Sequence, residues 1–563
     1  MTGKTAGTAL KAAMLKEILS AYEGMRARVQ EDGSVTAPDG YSVSSLYLGY
    51  YYAFLYTLKH PDNPHYLSGE ALALCLRIWE HYGDARLAPN GMTEIITRDQ
   101  RWIPSHGLDE WAFYYWLASY ELLREHLPHD VAAVWRERLA LIFERVHEEV
   151  AREDASEEFE RLLHKHTVRN HLVWTIFAMY RYGQIFGMPE VMEDARGVLY
   201  RVLDAQHPIG TWFEGESLVI GYGGVTICPL SFFALYANDD KAAAAVSRSL
   251  SYFLSVKYRD LSDVLGIDVR NRYARQAGPF TAVGYCRTPE GAAYLSQWFD
   301  MMQQQQNWQK TPFSLVLGCE MFRMFPEDAA EPRHQAPLPL HTRNEELLLT
   351  IEERGGFTVS FCGMEHAVLN NKWIMERQSL LGIYAEGIGA LCGGAHSVGD
   401  PAFSLFSLVR GGKVHYLHDA CRLTPRGAVM TYDGFACSYE VLEQSDAALV
   451  CRFEAPDLPE AEYVNWNLPF LNLCGKTIAI NGEAVPLDKA PFERQLASGD
   501  TLAIGGATIM LTAPAAFRYP VFAFVPYNLT QKQNYAEAYG MLSVRFFQRL
   551  STFDMTVRRT AQP

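Results

Sequence analysis

An all-α half followed by an antiparallel all-β half is the fold class that this chain of 563 residues predicts. Three observations carry it. Apolar residues recur at three- and four-residue spacing from the start to about residue 325. A proline-rich stretch then interrupts the pattern, and beyond it the apolar period drops to two. The length exceeds what one core usually serves, so more than one domain is expected.

The helical pattern is carried by segments such as SSLYLGYYYAFLYTL, GLDEWAFYYWLASYELLREHL, DVAAVWRERLALIFERVHEEVA and GAAYLSQWFDMMQQQQ. Polar, Gly and Pro punctuation separates roughly ten to fourteen such helices of ordinary length. Similar antiparallel helices without a sequence repeat fit a bundle, a solenoid or a toroid of helical hairpins, and periodicity does not choose among them. Residues 1–325 are assigned to this domain. PEDAAEPRHQAPLPLH, residues 326–341, holds four prolines and reads as a linker. Residues 342–563 form the β domain. Its segments LLLTIEE, GGFTVSFCG, KVHYLHDA, KTIAINGEAVPL, DTLAIGGATIMLTA and LSVRFFQRLSTFDMTV are short and β-rich. Asn481-Gly482 and Gly505-Gly506 are hairpin signals, which favours a sandwich over a parallel sheet.

Composition narrows the function. With 48% hydrophobic and 20% charged residues the chain reads as a folded soluble protein. A net charge of −15 argues against nucleic acid as a partner, because phosphate binding needs a basic surface. The 31 Tyr and 11 Trp supply either a large aromatic core or stacking surfaces for sugar rings. Arg270, Arg272 and Arg275 cluster in DVRNRYARQ, as a solvated face or as a local cationic patch in an acidic protein. The ten cysteines form no C-x-x-C pair, so neither a zinc ribbon nor a disulfide framework is indicated. The N-terminus reads as an amphipathic helix rather than a signal peptide, and no apolar run reaches about 18 residues. A cytoplasmic location without a membrane span is expected.

Two short stretches stand out as chemistry. In RNHLVWTIFAMYRYGQIFG, residues 169–187, Asn170 and His171 stand side by side where an apolar helix begins. Asn170 reads either as an N-cap or as a donor facing a cleft, and His171 as a structural histidine or a base. In GTWFEGESLVIGYGG, residues 210–224, Trp212, Glu214, Glu216 and Tyr222 share a glycine-rich loop, either packed in the core or lining a site.

An Asn-His pair opening a helix, followed by a tyrosine trailing a G-x-W-x-E-G loop, resembles the heparinase II/III and alginate-lyase type of polysaccharide lyase. The resemblance implies an incomplete (α/α) toroid followed by an antiparallel β-sandwich, and β-elimination at a uronic acid in an acidic oligosaccharide or polysaccharide. It implies that Asn170 neutralises the uronate carboxylate, and that Tyr222 and His171 serve as acid and base. A histidine of the first β-sheet, here His366, is a further catalytic candidate. The denser G-H-x-H-x-D pattern of that region is absent: a single His366 is followed by Asn370 and Asn371. Arg169, Trp212, Glu214, Arg270, Arg272, Tyr273 and His106 are the substrate-binding candidates, with Tyr384 a spare acid. An unperturbed tyrosine titrates near about 10, so Tyr222 would need cationic neighbours, for which Arg169 and the Arg270 to Arg275 run are available. No cofactor is required. Some relatives hold a structural metal among their sheets, and His415, His418 and Asp419 are the residues to consider for one, although His415 and His418 would face opposite sides of a strand.

Two other readings stay open. A glycoside hydrolase on the same helical scaffold would use paired carboxylates from Asp109, Glu110, Glu214 and Glu216. A glycan-binding protein would keep the fold without the chemistry.

Overall fold

The computed structural model describes the chain apart from residues 1–5, 37–46, 90, 92–93, 97–101, 105–109, 271–281, 307–310, 327–328, 331–339, 365–373, 460–461, 472, 525–532, 548–549 and 561–563. The chain divides into two compact units. One comprises Met1–Glu214, Tyr222–Tyr252 and Ala277–Gln335, the other Gly215–Gly221, Phe253–Gln276 and Ala336–Pro563. Two stretches of the helical half thus group with the β residues, a partition that periodicity along the chain does not display. Of the expected linker, residues 327–328 and 331–339 lie outside the described residues.

Thirteen α-helices occur among the described residues. Their burial sorts them into two layers. Leu48–Thr57 carries Tyr50, Tyr51 and Tyr52 with no exposure, and Asn170–Phe186 is buried continuously from Leu172 to Gly183. Helices that are apolar all round must be covered on every side. By contrast Gly69–Ala85 buries one stripe, Ala71, Leu74, Cys75, Ile78, Trp79 and Tyr82, as an outer helix should. Each of Leu48–Thr57, Glu110–Leu123 and Asn170–Phe186 packs against the helix that follows it, namely Gly69–Ala85, His129–Asp154 and Pro189–Asp204.

The inner helices run parallel, as their cross-contacts show by rising together in number. Between Glu110–Leu123 and Asn170–Phe186, Glu110 meets His171, Tyr114 lies 5.7 Å from Trp174, and Glu121 pairs with Arg181 at 2.7 Å. Between Asn170–Phe186 and Ile220–Tyr236, Trp174 meets Val225, Tyr180 meets Phe233 at 4.9 Å, and Arg181 lies 3.6 Å from the Tyr236 ring. Pro312–Met324 continues the pattern, with Phe313 near Tyr47 and Trp111, and Phe322 near Phe54. A buried carboxylate ties these helices together: Glu320 accepts from the hydroxyls of Tyr50, of Tyr114 at 2.6 Å and of Tyr236 at 2.7 Å, with Arg323 at 3.4 Å.

Among the described residues the second unit holds two large antiparallel sheets, one of nine strands and one of eleven, two of which branch off its main path. A single apolar core draws on both: Phe453 of one sheet lies 4.8 Å from Trp466 of the other, as expected for a sandwich. Both expected hairpins form. Asn481 and Gly482 have φ of 50° and 83°, and Gly505 and Gly506 have 57° and 93°, the two positive angles a tight two-residue turn demands. Among the described residues no helix is long and apolar enough to cross a membrane.

Candidate functional site

The helix Asn170–Phe186 starts on Asn170 itself, and Arg169 occupies the cap position without a side-chain capping bond. The N-cap role considered for Asn170 is therefore not what its side chain does. Asn170 is 1% exposed, and both polar atoms of its amide are buried without a hydrogen-bond partner. Burying an amide unsatisfied costs about 1–3 kcal/mol, which a donor to a bound ligand would recover. The helix ends at Gly187, whose φ of 70° is the left-handed cap that favours glycine.

His171 projects outward, with its side chain 60% exposed, and its Nδ1 is hydrogen-bonded to the carboxylate of Glu110. Glu110 is 4% exposed and opens the neighbouring parallel helix Glu110–Leu123. The indole of Trp111 flanks the imidazole at 5.1 Å, and its Nε1 is buried without a partner.

Tyr222 is half-buried in the first turn of Ile220–Tyr236. Its level relative to His171 is set by an unusual bond. Pro229 lies inside that helix and has no N–H, which frees the carbonyl four residues earlier, that of Val225. The indole Nε1 of Trp174 donates to this carbonyl at 3.1 Å. Trp174 is three residues beyond His171 and Val225 three beyond Tyr222, so both side chains lie one turn above the same contact. The parallel packing thus brings Asn170, His171, Glu110 and Tyr222 to one end of the inner layer.

That end is also the N-terminal end of each inner helix, where unsatisfied N–H groups give the backbone dipoles a positive pole. An acidic protein thereby acquires a locally favourable place for an anion.

The loop before Tyr222 is fixed at both sides. Phe213 donates to the His166 carbonyl at 2.7 Å and accepts from Val168 N at 3.0 Å, which lays the loop beside the chain entering Asn170. Gly210 has φ of 103°, and a Cβ there would meet the Arg248 carbonyl at 2.6 Å. Among the other candidates, Trp212 is 2% exposed and donates to the Val202 carbonyl at 2.7 Å, so it packs into the wall. Glu214 is half-buried next to Phe213. Arg169 pairs with Glu153 at 2.8 Å. Arg270 is half-buried, and its backbone N donates to Asp268 Oδ1 at 2.8 Å. Asp268 Oδ2 also accepts from Gly221 N at 3.0 Å, anchoring the start of the Tyr222 helix.

His106, Asp109, Arg272, Tyr273, Arg275 and His366 lie outside the described residues. Tyr384 stacks on Tyr258 at 4.1 Å, and burial, helped by Asp260, pushes its phenol up to about 12, as befits a packing residue. His418 Nε2 contacts the Gly363 carbonyl at 3.0 Å and Asp419 accepts from Asp433 N at 2.6 Å. Among the described residues no three His, Cys, Asp or Glu side chains group as a metal site.

Three features escaped sequence reading. Glu110 was noticed only as a hydrolase acid, and nothing local connects it to His171. The Trp174 and Pro229 device needed the helix pairing. Arg377, 2% exposed, donates to the carbonyls of Gly266 at 2.9 Å and Ile267 at 2.6 Å and to Ser217 Oγ at 2.8 Å, bracing the loop that leads to Tyr222.

No protein-family model matches the chain, and no curated protein matches it in sequence. Solved structures do resemble it. Heparinase III superposes with a TM-score of 0.56 at 10% identity, over 95% of this chain and 81% of its own. A variant of the chondroitin AC lyase of Streptomyces coelicolor A3 superposes with a TM-score of 0.50 at 12% identity, over 99% of this chain and 83% of its own. At such identities the likeness speaks for the fold. The chain has the fold of these polysaccharide lyases, a helical (α/α) toroid followed by antiparallel β-sheets.

Proposed function

We propose that the protein is a lyase that cleaves uronic-acid-containing glycans by β-elimination. The observation that carries this reading is the buried amide of Asn170, left without partners beside a carboxylate-held histidine and level with a tyrosine. The C5 proton of a uronate is weakly acidic while the adjacent carboxylate is ionised, since its removal builds a second negative charge there. Asn170 Nδ2 donates to that carboxylate and spreads the charge, and the helix N-terminus adds to the effect.

With that charge held, a base takes the C5 proton, the C4–O4 bond breaks, and a C4–C5 double bond forms. O4 leaves with a proton. His171 Nε2 and the Tyr222 hydroxyl are the groups that exchange these protons. One phenol can do both on a single face, whereas departure from opposite faces assigns His171 the abstraction and Tyr222 the return. This chemistry calls on no cofactor. The indole Nε1 of Trp111 supplies a further donor for a sugar hydroxyl.

The test is incubation with a panel of uronate-containing oligosaccharides and polysaccharides while ultraviolet absorbance of the unsaturated uronate is followed. Reducing ends without that absorbance would identify a hydrolase, and binding alone a lectin-like protein; either refutes the lyase. Asn170→Ala is expected to lower kcat about 10²–10³-fold, the usual cost of losing one donor to a developing oxyanion. Its thermal unfolding should show no loss of stability beyond that of a small cavity, because the amide has no partner to forfeit. A variant with full kcat removes the assigned role.

A further inference from the structure

We infer that Glu110 is the positioning residue that makes His171 a base. The inference rests on the role proposed above for His171, but its physical core is independent of turnover. The imidazole has its Nδ1 tied to a buried carboxylate, and the side chain is 60% exposed. A carboxylate accepts and does not donate, so the bond requires the proton on Nδ1 and leaves the lone pair on Nε2. Once Nε2 takes a proton, the adjacent negative charge stabilises the imidazolium.

The surroundings enforce this. Glu110 is the first residue of its helix, where the dipole favours an anion. Trp111, its neighbour in sequence, flanks the ring and restricts its rotation. Among the described residues, the helix His129–Asp154 brings the charge of Glu149 within reach of Glu110. Glu153 is paired with Arg169 at 2.8 Å. Half-buried Glu149 is held above the ordinary carboxylate range, first by burial and further by the charges of Glu110 and Glu153, against Arg152 and Arg145. Glu110 is thus the acid that contacts the imidazole, and its replacement should be felt there.

Glu110→Gln keeps size and an acceptor but removes the charge. Ring-labelled histidine NMR of the full chain, with the His171 signal assigned by its loss in His171→Asn, should show the Nδ1–H tautomer in the unsubstituted protein. In Glu110→Gln the titration midpoint of His171 should fall by roughly one pH unit or more. In the ultraviolet assay kcat should fall about 10–100-fold with KM little changed, and Glu110→Asp should recover part of it. A midpoint that does not move, or an Nε2–H tautomer in the unsubstituted protein, overturns the inference. If Glu110→Gln fails to fold, the tautomer of the unsubstituted protein decides alone, and an Nε2–H tautomer there is equally fatal. A shifted midpoint in a protein that yields no unsaturated uronate would sustain the pair and defeat the lyase, while an active lyase with an unmoved midpoint would do the reverse.

Discussion

Tyr222→Phe is expected to lower kcat for uronate elimination about 10²–10⁴-fold, with KM and unfolding temperature close to those of the parent. The substitution removes one oxygen from a half-buried ring in the first turn of Ile220–Tyr236 and leaves the ring's packing intact. What it removes is the O–H through which O4 receives its proton. Alkoxide departure without a proton is the steep part of the reaction. Initial rates by ultraviolet absorbance, together with substrate binding by calorimetry, separate the two effects. Undiminished kcat would mean that another group performs the transfer; weakened binding with normal kcat would make Tyr222 a substrate contact instead.

The second large effect concerns stability. Glu320→Leu is expected to cost about 3–5 kcal/mol, the range for breaking a buried ionic network by removing one partner. Glu320 and Tyr50 have no exposure and Tyr114 has 1%. Without the carboxylate, three tyrosine hydroxyls lose their acceptor, and Arg323 keeps Glu121 at 3.3 Å and the Tyr50 hydroxyl at 3.2 Å but loses its buried counter-charge. Burial pushes the Glu320 carboxyl upward, but Arg323 and the three hydroxyls outweigh it and hold the group below its ordinary value. A depressed carboxyl contributes stability that is fully present above the unfolded-state value and is lost as pH falls through the folded one. Acidification below the ordinary carboxylate range should therefore erode the parent's stability through this group, and the Leu variant should lack that component. Urea unfolding followed by helical circular dichroism at neutral and acidic pH measures both. An unfolding midpoint matching the parent's at neutral pH would show that the hydroxyls find other partners.

How much of this was legible beforehand depended on how local each signal is. The hairpins at Asn481-Gly482 and Gly505-Gly506 could be read because the turn is decided by the residues that make it. The order of helical and β halves followed from periodicity, and the Asn170 to Tyr222 set from a resemblance of motif and context. The start of the Asn170 helix was placed within a residue; of the two readings left open for Asn170 the N-cap falls, since whether an asparagine side chain turns to its own backbone depends on its packing. Glu110 and His171 are 61 positions apart, and only the parallel packing of their helices makes them neighbours. The assignment of Gly215–Gly221 and Phe253–Gln276 to the β unit is likewise a product of tertiary contact.

Pro229 and Trp174 have a consequence for how this protein tolerates change. Trp174→Phe strands the Val225 oxygen, whereas Pro229→Ala gives that oxygen an N–H of its own helix while its second lone pair stays open to the indole. Trp174→Phe alone should therefore be harmful, and the double variant, in which the helix N–H replaces the indole, should lose less than Trp174→Phe. Stability measured over all four combinations would reveal that compensation, and would mark Pro229 as the position that must change before Trp174 can.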